Sequence, residues 1–312
     1  MPVVSVVMTS YNHERFISEA IASVLRQDFD DLELIIVDDA SADASREIIE
    51  RYKADDSRIR VLLHDRNFGI ARTINDGNDL ARGKYLGCIA SDDVWMRDKL
   101  SKQLAVLEFN EDLIVWTEGE VIDGRGQPVG KSYSELIGSV SEKKNGDVFP
   151  QLLERTHIFD STILYKRVNQ GDIRYDESLR YANDWKFVLD LAAKYEFCYI
   201  AEPLAQYRLH GQNFYGAQRP EGQEGRLCMQ ENIFIRENAL RQYNYRMSAK
   251  AKAIVLERLG FLYYELGQYE KAQRSFLRAF IYSPLRRSNL RYPRRFFQFI
   301  QNASGRETLE RK

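Results

Sequence analysis

Five short apolar runs, separated by segments of helical periodicity, occupy the first 117 residues and leave few architectures open. The runs are "VVSVVMT" (3–9), "LELIIVD" (32–38), "IRVLLH" (59–64), "KYLGCIA" (84–90) and "LIVWT" (113–117). In the intervening "ERFISEAIASVLRQ" (14–27), Phe16, Ile17, Ala20, Ile21, Val24 and Leu25 form one apolar stripe at helical spacing. "SADASREIIERYK" (41–53) offers Ser41 as an N-cap, with acids soon after it. Strands buried on both faces and alternating with helices mean βαβ units around a mostly parallel sheet. The expected class is α/β.

A chain of 312 residues has the apolar content, 44%, to bury such a sheet, and its 29% of charged residues suits a protein surrounded by water. Lys and Arg total 45 against 46 acids, so no global charge points to nucleic acid. Cys88, Cys198 and Cys228 are odd in number, far apart and without metal-ligand spacing, which suits thiols in a reducing cytosol. "VVSVVM" is too short for the apolar core of a signal peptide, and no run reaches the ~20 apolar residues of a membrane span. A cytoplasmic protein is expected, in peripheral contact with the inner face of the cell membrane.

Open parallel sheets bind ligands beyond the carboxyl ends of their strands. Polar residues gather there four times: "TSYN" (9–12), "VDDAS" (37–41), "DRNFGIARTIN" (65–75) and "SDD" (91–93). No Gly-rich phosphate loop follows the first strand, which argues against dinucleotide dehydrogenases and P-loop NTPases. If a nucleotide binds, its phosphates need another source of positive charge. A Mg²⁺ or Mn²⁺ ion held by carboxylates would supply it. Local readings compete at each position: strand ends for Thr9 and Tyr11, a helix cap for Asp38 or Asp39 with Ser41, a solvated charge for Arg72.

Taken together, "TSYN…VDDASAD…NFGIARTIN…SDD" resembles the family-2 glycosyltransferases of GT-A fold, over residues 3 to about 213. That resemblance implies a nucleotide-diphospho-sugar transferase fold for residues 1–221, divided into a nucleotide-binding half (1–117) and an acceptor half (118–221). It implies a divalent metal, Mn²⁺ or Mg²⁺, and an inverting transfer from a nucleoside-diphosphate donor, UDP above all. The donor would be bound by Thr9, Tyr11, Asn12, Asp38, Asp39, Arg72, Ser91, Asp92 and Arg208. Asp39 would accept from the base, and Asp92 would contact ribose or sugar. "SDD" stands for the family's D-x-D element with Ser91 in its first acidic place; Asp93 would coordinate the metal. "YRLHGQN" (207–213) resembles a later element in which His210 ligates the metal or touches pyrophosphate.

In-line transfer with inversion needs a base for the acceptor hydroxyl, and a positioned carboxylate suffices. "RYANDWKF" (180–187) resembles the family's acceptor-side E-D motif, with Asn183 for the first acid and Asp184 in the catalytic-base position. The local alternative is an N-cap on the following helix, and both can hold.

Residues 222–312 read as a helical extension. "LERLGFLYYELGQYEKAQRSFLRAFIYSP" (256–284), the core of a hairpin spanning 253–286, resembles one tetratricopeptide repeat through Leu259, Gly260, Tyr263, Ala272, Phe276, Ala279 and Pro284. An ordinary helical hairpin is the alternative. A single repeat leaves an apolar face to be covered, so a protein partner at the tail is one expectation. Beyond it, residues 284–300 combine Arg286, Arg287, Arg291, Arg294 and Arg295 with aromatics and no acid, which suits an anionic membrane surface better than nucleic acid. The acceptor expected is a glycan or lipid-linked acceptor in bacterial surface polysaccharide or glycolipid synthesis. Two other functions compete: a catalytically weak scaffold acting through its tail, for which Ser91 and Asn183 speak, and a sugar-phosphate nucleotidyltransferase, against which the missing Gly-rich loop speaks.

Overall fold

The structure, a computed structural model, describes residues 1–138, 144–211 and 222–284. Its opening alternates β1 (Val4–Ser10), α1 (Ile17–Leu25), β2 (Leu32–Asp38), α2 (Ser45–Asp55), β3 (Ile59–Leu63), α3 (Ile70–Leu80) and β4 (Tyr85–Ala90). The two-residue β5 (Val94–Trp95) and α4 (Lys99–Phe109) follow. Next come β6 (Ile114–Asp123), β7 (Pro128–Ser132), α5 (Tyr133–Leu136), α6 (Phe149–Leu152), β8 (Leu164–Lys166), α7 (Asn183–Ala192) and β9 (Phe197–Leu209).

Among the described residues these strands form one sheet, ordered β3-β2-β1-β4-β8-β6-β9-β5, with β7 on β6. The first four strands are parallel, as their crossover helices require. Helix α4 also returns β6 in the direction of β4. It leaves a gap of one strand, which β8 fills antiparallel to both neighbours. The sheet is therefore mixed rather than mostly parallel, because β8 arrives through a 3-10 turn at Asp160–Thr162 and not through a crossover helix.

Strand alternation sorts the side chains into two layers. Val4, Val6, Met8, Leu32, Leu34 and Ile36 face Ile17, Ala20, Ile21 and Val24 of α1, Ile48 and Ile49 of α2, and Leu100, Leu104 and Leu107 of α4. Each such side chain contributes about 1.5–3 kcal/mol when fully buried. Val7 and Val37 take the opposite face, where α3 lies so close that a Cβ at Gly77 would sit 2.4 Å from Val7 Cγ1.

Helix α2 begins at Ser45, not at Ser41. The Ser41 hydroxyl instead donates to Asp38 Oδ2 (2.5 Å) and accepts from the Asn12 N–H (2.9 Å), so the residue belongs to the strand-end loops.

Residues Met1–Gly222 form one compact unit and Gln223–Lys312 a second. The described part of the second unit holds α8 (Gly222–Gln242), α9 (Ala249–Glu265) and α10 (Tyr269–Tyr282). Helices α9 and α10 pack as a hairpin in which a Cβ at Gly260 would meet the Phe276 ring at 2.5 Å. Leu256, Leu259, Tyr263, Ala272 and Ala279 are buried along it. The expected basic aromatic tail lies outside the described residues from Leu285 onward. No helix among the described residues is long and apolar enough to cross a membrane.

Candidate active site

The carboxyl ends of β1, β2 and β4 lie side by side, with Ser10 paired to Asp38 and Thr9 to Ala90. Two non-glycine residues just beyond them adopt left-handed backbone, Asn12 (φ 55) and Ala40 (φ 64). Such conformations cost about 1–3 kcal/mol and persist where surroundings over-determine them. Here the surroundings are polar. Asn12 Oδ1 accepts from the Ala42 N–H, and Asp38 accepts from the Ser10 hydroxyl, the Ser41 N–H and Arg46 Nε. Asp38 is wholly buried and holds the loops.

Asp39 is also buried. Its Oδ1 accepts from the Phe68 N–H and lies 2.8 Å from His64 Nδ1, while Oδ2 accepts from the Gly69 N–H. Three partners occupy three of about four acceptor directions on the carboxylate. His64 Nε2 continues to Asp76, which Arg72 Nε reaches at 2.9 Å. Arg72 is thus the exposed end of a chain that leads back to Asp39, with Glu177 3.7 Å from its Nη1. Tyr11 stands exposed beyond β1, and the Thr9 carbonyl accepts from the Ser91 N–H.

The second cluster depends on a pairing between distant segments. β5 runs antiparallel to β9 with Val94 opposite Gln206, so the two aspartates before β5 meet the end of β9. Asp93 faces inward: Oδ2 accepts from the Ser161 hydroxyl and Oδ1 from the Arg208 N–H. Burial, reinforced by the neighbouring Asp92 charge, pushes its carboxyl well above the usual range. Asp92 points the other way, to His210 Nε2 at 2.9 Å and His13 Nδ1 at 3.8 Å. Burial pushes the Asp92 carboxyl up, but the His210 hydrogen bond and the charges of His13 and His210 outweigh it and hold it below the usual value.

Asp92, rather than the expected Asp93, therefore stands beside His210. His13, Asp92 and His210 each offer a ligand atom within 4.8 Å of the others, the one such group among the described residues. Two imidazole nitrogens and a carboxylate oxygen fit a divalent ion. Burial lowers the His13 ring's affinity for a proton despite the Asp92 charge. Ser91, in the first acidic place of "SDD", is wholly buried, with its hydroxyl 2.8 Å from His13 Nδ1.

Arg208 is turned inward and 1% exposed. Its Nε donates to the Asp92 carbonyl (2.8 Å) and its Nη2 to Glu19 Oε2 (2.6 Å). Asp184 lies half-buried in the first turn of α7, where its Oδ1 accepts from the Trp185 N–H. The N-cap of α7 is Ala182, so neither Asn183 nor Asp184 caps it. Phe187 of the same helix stacks on Tyr175 at 4.0 Å, and Tyr175 is 3.8 Å from Cys88 of β4.

The profile of glycosyl transferase family 2 matches residues 5–169, more than half of the chain. The chain belongs to glycosyltransferase family 2. It is 32% identical over 209 residues to a putative teichuronic acid biosynthesis glycosyltransferase, TuaG of Bacillus subtilis, covering 67% of this chain and 79% of that one. It is 31% identical to an uncharacterized glycosyltransferase of Methanocaldococcus jannaschii, covering 69% and 73%. Among solved structures, S. aureus TarS 1-349 in complex with UDP-GlcNAc superposes with a TM-score of 0.65 at 18% identity, covering 89% of this chain and 82% of that one. A Pyrobaculum calidifontis mannosyltransferase in complex with GDP-Man and Mn²⁺ gives 0.61 at 16% identity, covering 89% and 75%. These likenesses establish the GT-A type fold. The family match ends before the C-terminal helices and leaves their tetratricopeptide resemblance unassigned.

In this family-2 transferase, three residues of the site escaped motif reasoning: His13, His64 and Glu19. His13 carried a signal, since it directly follows "TSYN" and is one of only 4 histidines. Glu19 reads as an ordinary exposed acid on α1. Its pairing with Arg208 spans 189 positions, which no local pattern displays.

Proposed function

We propose that the chain is an inverting, metal-dependent glycosyltransferase that moves a sugar from a nucleoside-diphosphate donor, UDP in the first instance, to an acceptor hydroxyl. The convergence of His13, Asp92 and His210 at the carboxyl end of the sheet carries this reading. Asp92 and His210 would hold the divalent ion, which when bound would neutralise the two donor phosphates and the leaving diphosphate. Asp39 would accept a base N–H in its remaining acceptor direction, and Tyr11 and Thr9 would contact the nucleoside beside it. Arg208 would support the site by holding the Asp92 backbone in place through its Nε.

Asp184 is the proposed base, taking the acceptor proton as the hydroxyl attacks. Its place in the first turn of α7 gives it a rigid backbone. The acceptor proposed is a bacterial surface glycan or a lipid-linked precursor, a reading supported by the printed name of the TuaG relative. The cytoplasmic, membrane-peripheral location proposed with it rests on the sequence of the basic tail. Proposed boundaries remain 1–221 for the catalytic domain and 222–312 for the extension.

Thermal denaturation with UDP and Mn²⁺ tests the donor site. Stabilisation is expected for the native chain and its loss for Asp92→Ala. If Asp92→Ala gains as much as the native chain, the site is wrong.

A further inference from the structure

Beside Asp92 and His210, the proposed holders of the ion, a third side chain offers a donor atom, the ring nitrogen of His13. It comes from the β1–α1 loop, while Asp92 comes from the β4–β5 turn and His210 from the end of β9. Three separate segments thus bring one donor atom each to a common point. The His13 and His210 rings stand edge to face with centroids 5.6 Å apart, close enough to share an ion and unable to stack flat. The His13 main chain is itself pinned, its N–H donating to Ser45 Oγ at 3.0 Å. The Ser91 hydroxyl, at a position where an acid would bring a second negative charge, contacts the ring instead.

We infer that His13 is a third protein ligand to the divalent ion, and that the His13–Asp92–His210 set selects a transition ion such as Mn²⁺ over Mg²⁺. This rests on the proposed donor site. Hard Mg²⁺ takes oxygen donors and keeps its waters, whereas imidazole nitrogens favour first-row transition ions. A site with two nitrogens and one carboxylate oxygen discriminates through that difference. A site of two carboxylates and one nitrogen discriminates less. Ser91 holds the ring in place, so it is a positioning residue.

The test is binding of Mn²⁺ to the full chain in the presence of UDP, followed by electron paramagnetic resonance, with Mg²⁺ as competitor. Native protein should show spin-echo modulation from two directly bound imidazole nitrogens, and His13→Gln from one. Glutamine preserves a polar contact to Ser91 and supplies an oxygen donor. His13→Gln should therefore lose Mn²⁺ affinity by at least about tenfold, since even outer-shell changes cost about 10–100-fold. Mg²⁺ should compete better against Mn²⁺ in that variant than in the native chain. One nitrogen in both proteins, or unchanged Mn²⁺ affinity in His13→Gln, overturns the inference and leaves the donor site standing. Absence of Mn²⁺ binding in the native chain with UDP overturns both.

Discussion

His210 Nε2 lies 2.9 Å from Asp92 Oδ2 across 118 positions of sequence, while Asp93, one residue away, is hydrogen-bonded into the interior. Two adjacent like charges are thereby separated into different environments. One faces two imidazoles. The other is buried under Ser161 and the Arg208 backbone. Their tolerance of each other follows from this division, because burial keeps the Asp93 carboxyl protonated to higher pH than usual.

The two aspartates should fail in different ways. Asp92→Ala should lower transfer by about 10²–10³-fold, the scale of losing an electrostatic stabiliser of the leaving group, with little change in melting temperature. Asp93→Ala should destabilise the fold by about 1–3 kcal/mol, because it strands the Ser161 hydroxyl and the Arg208 N–H. Initial rates and denaturant melts of both variants check this. Equal rate losses with equal stability would contradict the division.

Asp184→Asn should keep UDP and Mn²⁺ binding yet lower turnover by about 10²–10⁴-fold, as loss of a general base does. Retained turnover in that isosteric variant would move the base elsewhere.

Gly77 admits no side chain without movement of Val7, whose Cγ1 would lie 2.4 Å from the new Cβ, with Val37 Cγ2 at 3.2 Å. Gly77→Ala should destabilise by about 1–3 kcal/mol through overpacking between α3 and the sheet. Combining it with Val7→Ala should recover part of that loss in thermal melts, and the absence of coupling would contradict the packing.

Lys99 is wholly buried, its Nζ donating to Gln103 Oε1 at 2.7 Å and lying 3.8 Å from the Trp95 ring centroid. Burial lowers its pKa from 10.5 to about 7. In the window from about 7 to 10.5 the unfolded chain holds a proton that the folded chain has released, so this group's contribution to stability rises with pH there. Below about 7 both states are protonated and the desolvation cost is felt in full. Lys99→Met should therefore gain stability relative to the native chain near neutral pH and lose that advantage by pH 10. Melting temperatures of the pair across pH give the difference, and a gap independent of pH would refute it.

Ala40 holds a left-handed backbone between Asp39 and Ser41. Ala40→Val should cost about 1–3 kcal/mol and weaken UDP binding, because Asp39 anchors the 68–69 backbone from the adjoining position. Ala40→Gly should retain both, as judged by calorimetry with UDP.

Much of this molecule was legible before any coordinates. Apolar runs alternating with amphipathic segments identified the strands and crossover helices from β1 to β4 and their parallel direction, because strands buried on both faces and joined by helices form βαβ units. The same periodicity located the strand ends, and so placed Asp38, Asp39 and the "SDD" turn among the residues to consider, while the resemblance of "YRLHGQN" added His210. Helix boundaries were less secure: Ser41 looked like a cap, yet its hydroxyl found Asp38 and Asn12 first.

Tertiary structure decided which atoms meet. The antiparallel insertion of β8 could not be read from three residues. Nor could the choice between Asp92 and Asp93, since a shift of one residue in the pairing of β5 with β9 would exchange the side of the histidines for the interior. His13, in the β1–α1 loop, and Glu19, on α1, joined the site only because the end of β9 folds back beside them. Local sequence pattern reports which face a residue takes on its own element. The pairing of distant elements determines which residue stands opposite.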